Sequence, residues 1–144
     1  MIRDMHDNIR TKTTVPPSAI GANATKTGVV VDRQGYGSVE FLVSYGSVTT
    51  TGTVVTLVAF EGDVTGTMTS IANADLLGTE ALASLPAATP RTAGTTKEVT
   101  KRLGYSGQKR YVSANTVSTG VTSVGCVGVA VILGNPYNAP QANP

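Results

Sequence analysis

The sequence predicts an all-β fold, a single-domain antiparallel β-sandwich or jelly-roll-like barrel with extended terminal arms. Three observations carry this expectation. Short runs rich in Val and Thr recur along the chain with Gly, Asn, Asp and Ser between them, and strands at such spacing, separated by turn signals, are the pattern of sandwiches and barrels. No long segment keeps the apolar period of a helix. The two ends, residues 1–26 and 134–144, carry prolines and lose strand alternation. At 144 residues the chain suits one domain that folds without disulfide or metal.

Taken in order, residues 1–26 read as an N-terminal arm, because Val15-Pro16-Pro17 blocks helix and favours an extended, polyproline-like path. The domain at 27–133 opens with a short strand at Gly28–Val31 and a turn at Asp32–Gly35. Ser38–Tyr45 follows as a strand with Val39, Phe41, Val43 and Tyr45 on one face and Glu40 and Ser44 on the other. After a polar turn at Gly46–Gly52, Thr53–Glu61 is apolar on both sides, with Val54, Val58 and Phe60 opposite Val55, Leu57 and Ala59. Such a strand is covered on both faces. Gly62–Gly66 has turn chemistry, Thr67–Ala72 is strand-like, and Asn73–Gly78 allows a helical turn at Asp75–Leu77. Thr79–Thr96, with Pro86 and Pro90, reads as a long loop whose Glu80–Leu85 suits a helical turn or a strand. Strand signals resume at Lys97–Tyr105, Gln108–Val117 and Val121–Leu133, with turns at Gly104–Gly107 and Thr119-Gly120. Residues 134–144 are too rich in Pro and Asn to pair and form a C-terminal arm.

The same residues narrow the chemistry. Charged residues are 14% of the chain, below the roughly 25% of soluble domains, so self-repulsion is weak and packing against neighbours is favoured. The net charge of +2 comes from scattered pairs such as Lys101-Arg102 and Lys109-Arg110 with acids between them, without the basic stripe that nucleic acid requires. No apolar run reaches membrane-spanning length, and the charged start Met1–Arg10 does not resemble a secretory leader. Cys126, inside the apolar run Val124–Leu133, reads as a small buried hydrophobe. The single histidine, His6, sits in the N-terminal arm, where a mobile backbone holds no reacting geometry. Glu61, Asp63 and Asp75 are the nearest approach to an all-oxygen metal site and read better as solvated turn acids. No serine nucleophile with its base and no phosphate-binding glycine loop occurs. Tyr36, Tyr105 and Tyr111 suit strand edges and interfaces, or a stacking platform for carbohydrate. No enzyme and no cofactor is expected.

Three segments carry a resemblance. They are Phe60–Asp63 followed by Ile71–Gly78, then Gly104-Tyr-Ser-Gly-Gln-Lys-Arg-Tyr-Val112, then Val131-Ile-Leu-Gly-Asn-Pro-Tyr-Asn-Ala-Pro140. In that order the chain resembles small tailed-bacteriophage head proteins, including the cement or decoration proteins. The resemblance implies a virion structural protein that binds across capsomer joints of the major capsid shell and stabilises it. It further implies partners in the major capsid protein and in the chain itself as a homo-dimer or homo-trimer, no nucleic acid or membrane, synthesis in the host cytoplasm and a place on the capsid exterior. Partner contacts are expected from the arms, at Ile2, Arg3, Ile9, Arg10, Val15, Pro16 and Pro17, and at Pro136, Tyr137 and Pro140, since extended segments add backbone hydrogen bonds to exposed strand edges. The alternatives are a head-to-tail joining or tail structural protein and, in a different class, a carbohydrate-binding adhesion module.

Overall fold

The structure, a computed structural model, describes residues 4–47, 52–85, 98–121, 125–139 and 141. The loop expected at 79–96 and the turn at 46–52 lie partly outside these residues, as do Ile2, Arg3 and Pro140. Two antiparallel sheets pack face to face as an open sandwich. Ten strand segments are described: β1 (Ile9–Ile20), β2 (Ala24–Lys26), β3 (Val31–Asp32), β4 (Tyr36–Tyr45), β5 (Val54–Val64), β6 (Thr67–Ser70), β7 (Leu76–Leu77), β8 (Val99–Tyr105), β9 (Tyr111–Thr119) and β10 (Gly125–Pro136). The first sheet runs β1-β10-β4-β8-β7, and the second β2-β9-β5-β6 with β3 also on β9.

Period-two patterning explains the core. The expected inner face of β4, Val39, Phe41, Val43 and Tyr45, is buried, and opposite it in register stand Val127, Val129, Val131 and Leu133 of β10. On the second sheet Val55, Leu57 and Ala59 of β5 and Val112 and Ala114 of β9 close the other side of the same core. β5 differs from the expectation. Its second face, Val54, Thr56, Val58 and Phe60, is only half-buried, because nothing described packs over that side of the sheet.

Two further expectations are corrected. Ile9–Ile20 is not a separate arm but the edge strand β1, paired antiparallel with β10 from Ile9↔Gly134 to Ile20↔Gly125. Val-Pro-Pro does keep the backbone extended, and an edge strand tolerates a residue without N–H because one side of its ladder faces solvent. The register shifts between Thr13 and Val15 and again between Val15 and Ser18. Bulges of this kind let consecutive residues face the same way, so both Thr14 and Val15 turn inward and are buried. Likewise Gly134–Pro136 belongs to β10 rather than to a C-terminal arm. Cys126 is the second correction: its thiol is exposed. With Val127, Val129 and Val131 inward, alternation turns Cys126 to the outer face, a distinction the unbroken apolar run conceals.

The segment Glu80–Leu85 resolves as one helical turn, α1 (Glu80–Ala83), capped by Thr79, whose hydroxyl accepts from Leu82 N–H. It acts on the exposed margin of β5. Glu80 Oε1 accepts from Ala59 N–H at 2.6 Å and Ser84 Oγ accepts from Leu57 N–H at 2.9 Å. Leu85 and Val55 then exchange backbone hydrogen bonds at 2.8 and 2.9 Å. Side chains thus satisfy donors that β6, ending further along, does not reach, and the edge is closed to foreign strands. The helical turn expected at Asp75–Leu77 is found two residues earlier, at Asn73–Asp75.

Candidate functional site

One end of the sandwich gathers the starts of β1, β4 and β9 and the ends of β3, β5, β8 and β10. Three connections converge there. Between β3 and β4, Asp32 Oδ1 accepts from Gln34 N–H at 2.9 Å and Gly35 adopts φ +90°, a conformation glycine takes without strain. Between β8 and β9, the chain at 106–110 is pinned by Ser106 N–H on Asp75 O at 2.8 Å and by Arg33 N–H on Arg110 O at 3.0 Å. After β10, Asn135 sits at φ 52°, and Tyr137 N–H donates to Gly35 O at 2.9 Å. A non-glycine residue in the left-handed region costs free energy that its surroundings offset, and here it swings Tyr137 against the β3–β4 turn.

These connections bring Arg33, Lys109 and Arg110 around an open cavity of about 250 Å³, with Gln34, Gln108 and Tyr137 completing its rim. Arg33 Nη1 donates to Gly107 O at 2.6 Å, and its guanidinium lies 5.4 Å from the centre of the Tyr105 ring. Arg110 stacks 5.0 Å from the Tyr111 ring and holds Asp32 through Nε and Nη2. Lys109 pairs with Asp63. The Arg110 guanidinium beside Asp32 holds that carboxyl below its ordinary range, and Asp63 raises Lys109. Both pairs are solvent-exposed, so each contributes little to stability.

The tyrosines take other roles than a stacking platform needs. Tyr36 and Tyr105, at the start of β4 and the end of β8, are buried plugs of the core. The Tyr36 hydroxyl donates to Gln141, while that of Tyr105 donates to Glu61 and accepts from Lys109 N–H at 3.0 Å. Tyr111 remains half-exposed and Tyr137 is 73% exposed. Glu61 and Asp63 are engaged by Tyr105 and Lys109, and His6 lies exposed in a short turn with its N–H on Asp4.

Of the residues expected to meet partners, Pro136 closes β10 opposite Tyr36, and Tyr137 borders the cavity. Ile9 and Arg10 begin β1 at this same end, opposite Gly134 and Leu133, half-buried. Val15 is 1% exposed and fills the core. Pro16 and Pro17 are exposed along β1, with Pro17 lying against Gly128. The cationic trio was not singled out from sequence. Its signal is two turns, Asp32-Arg-Gln-Gly35 and Gly104–Gly107 with the following Lys-Arg, that a sandwich places at the same end.

The fold is similar to that of the PBSX exported protein XepA, with TM-score 0.54 and 15% identity over 93% of this chain and 40% of that one. A chain from the infectious bursal disease virus Gx strain aligns with TM-score 0.48 and 9% identity over 86% of this chain and 31% of that one. The chain therefore spans less than half the length of these solved chains. No protein-family model matches it, and no curated protein matches it in sequence. At such identities the likeness is one of fold.

The Tyr105 contact makes the site end sensitive to alkali. Burial first, and then the hydrogen bond to the Glu61 carboxylate, push the Tyr105 hydroxyl well above its ordinary value of 10.0. The folded chain then keeps a proton that the unfolded chain has released, so the contribution is complete below about pH 10 and lost as pH rises further. Tyr105→Phe is expected to cost about 1–2 kcal/mol at neutral pH, because Lys109 N–H loses its acceptor, and to flatten the alkaline fall in urea midpoint. Parallel curves for the two proteins would refute this role.

Proposed function

We propose that the chain is a non-enzymatic virion structural protein of the capsid cement type, binding the major capsid protein across capsomer joints on the shell exterior. The observation that carries this reading is the surface of the sandwich. On the outer side of β5 and β9, Val54, Thr56, Val58, Phe60, Asn115, Val117 and Thr119 are half-buried or exposed and none is charged, the exposed acid of β5, Asp63, lying near the end of the strand in its pair with Lys109. Apolar and hydroxyl-bearing faces without charge are suited to packing against neighbours. The sequence resemblance to phage head proteins supports the same reading, and sharing a fold with a PBSX exported protein is in keeping with it. In this reading the chain acts as a homo-oligomer, and contacts come from Pro136 and Tyr137 at the cavity end and from the segments preceding β1 and following β10.

The test is co-sedimentation of the purified chain with expanded and unexpanded capsid shells, paired with heat and osmotic challenge of particles made without it. Selective binding to expanded shells and earlier rupture of the depleted particles are expected. Unbound protein together with unchanged particle stability would overturn the proposal. A low copy number confined to one vertex would favour the head-to-tail joining reading instead.

A further inference from the structure

We infer that the cavity between Arg33, Lys109 and Arg110 is a docking site for an acidic segment of the partner protein, seating an Asp or Glu carboxylate among the three cations. The inference rests on the virion reading above and adds to it the chemistry of the contact.

Charge and unused hydrogen-bonding capacity carry it. Among the described residues no carboxylate lines the cavity, and the acids that neutralise it in part, Asp32 and Asp63, hold Arg110 and Lys109 from outside it. Among the described residues Arg33 has a protein acceptor only for Nη1, leaving Nε and Nη2. Arg110 commits Nε and Nη2 to Asp32, leaving Nη1. Lys109 Nζ has one acceptor for three N–H groups. A carboxylate accepts from a guanidinium in bidentate fashion and matches this fork geometry. The exposed ring of Tyr137 at the rim offers an amphipathic wall for the neighbouring residues of a peptide, the role tyrosine commonly takes at protein interfaces. A nucleic-acid backbone fits less well. It asks for a track of cations at phosphate spacing, whereas this is one pocket in which two of the three cations are each already paired with an acid of their own.

The experiment titrates the full chain with a short, end-blocked oligoglutamate peptide at low ionic strength, with oligoglutamine and oligothymidylate as comparison probes. Backbone amide shifts at residues 33–35, 106–110 and 137 are followed by NMR. Oligoglutamate is expected to bind selectively and to weaken as salt rises. Lys109→Gln is expected to weaken binding by about three- to five-fold, and Asp63→Asn, which frees Lys109, to strengthen it by a similar factor, the range of one exposed charge pair. A gain from Asp63→Asn cannot arise from misfolding. Equal response to oligoglutamine, stronger binding of oligothymidylate, or no change in either variant would overturn the inference. Capsid co-sedimentation of the same variants separates the two claims: wild-type protein that fails to bind shells sinks the functional reading, while shell binding indifferent to Lys109→Gln and Asp63→Asn sinks this inference alone.

Discussion

Gly28→Ala is expected to destabilise the chain by about 3 kcal/mol or more, lowering the melting temperature by roughly 10 °C. A Cβ at Gly28 would lie 2.0 Å from Ala114 O and 2.4 Å from Thr14 Oγ1. Neither is the far end of a flexible side chain. Ala114 O is the backbone of a central strand, and Thr14 Oγ1 is held by two hydrogen bonds, donating to Val29 O at 2.8 Å and accepting from Ala114 N–H at 3.3 Å. Val29 N–H in turn donates to Thr14 O at 2.7 Å, and Gly28 N–H to Asn115 Oδ1 at 3.0 Å. The segment around Gly28 therefore bridges β1 of one sheet to β9 of the other. A methyl group there either prises the sheets apart or strands buried polar atoms, and both are costly. Circular dichroism melting checks the result; a loss of only a few degrees would show that the bridge yields.

Phe41→Ala is expected to cost about 3–5 kcal/mol, enough to consume much of the stability of an ordinary domain. Phe41 is fully buried in β4, directly between Val131 of β10 and Leu103 of β8. With only two phenylalanines and no tryptophan in the chain, the surrounding valines have short, stiff side chains that collapse poorly into a vacated ring. Urea unfolding would measure the loss. A change below about 1 kcal/mol would mean that the core repacks freely, contrary to the usual behaviour of buried aromatic truncations.

The fold was largely legible because most strands announce their inner face. In β4, Val39, Phe41, Val43 and Tyr45 alternate with Glu40 and Ser44, and the structure keeps that alternation residue for residue. Legibility failed where the local signal was true but incomplete. Val15-Pro16-Pro17 does forbid helix, yet the decision between a free arm and an edge strand rests on β10, more than a hundred residues away, which supplies its partner. Cys126 was misplaced because Gly128 and Ala130 share its outer face and blur the alternation. The cationic cavity was harder still. Arg33, Lys109 and Tyr137 come from three separate connections, and only the antiparallel topology sets them side by side. By sequence Tyr137 was noticed for its place in a terminal segment, and the structure supplies its neighbours.

The pairing of β1 with β10 also sets the order in which the molecule can be completed. The first of the described strands lies against the tenth. Until β10 emerges, β4 has only β8 beside it and β1 has no partner at all in its sheet. Contacts of such sequence separation form slowly, since a long loop must close before they repay it. A chain stopped short of Gly125 leaves β1 without a partner in its sheet and one edge of the apolar strand β4 open, a condition prone to misassembly. Closure of this sheet thus waits for β10, and the native edge formed by β1 appears only once that strand is in place.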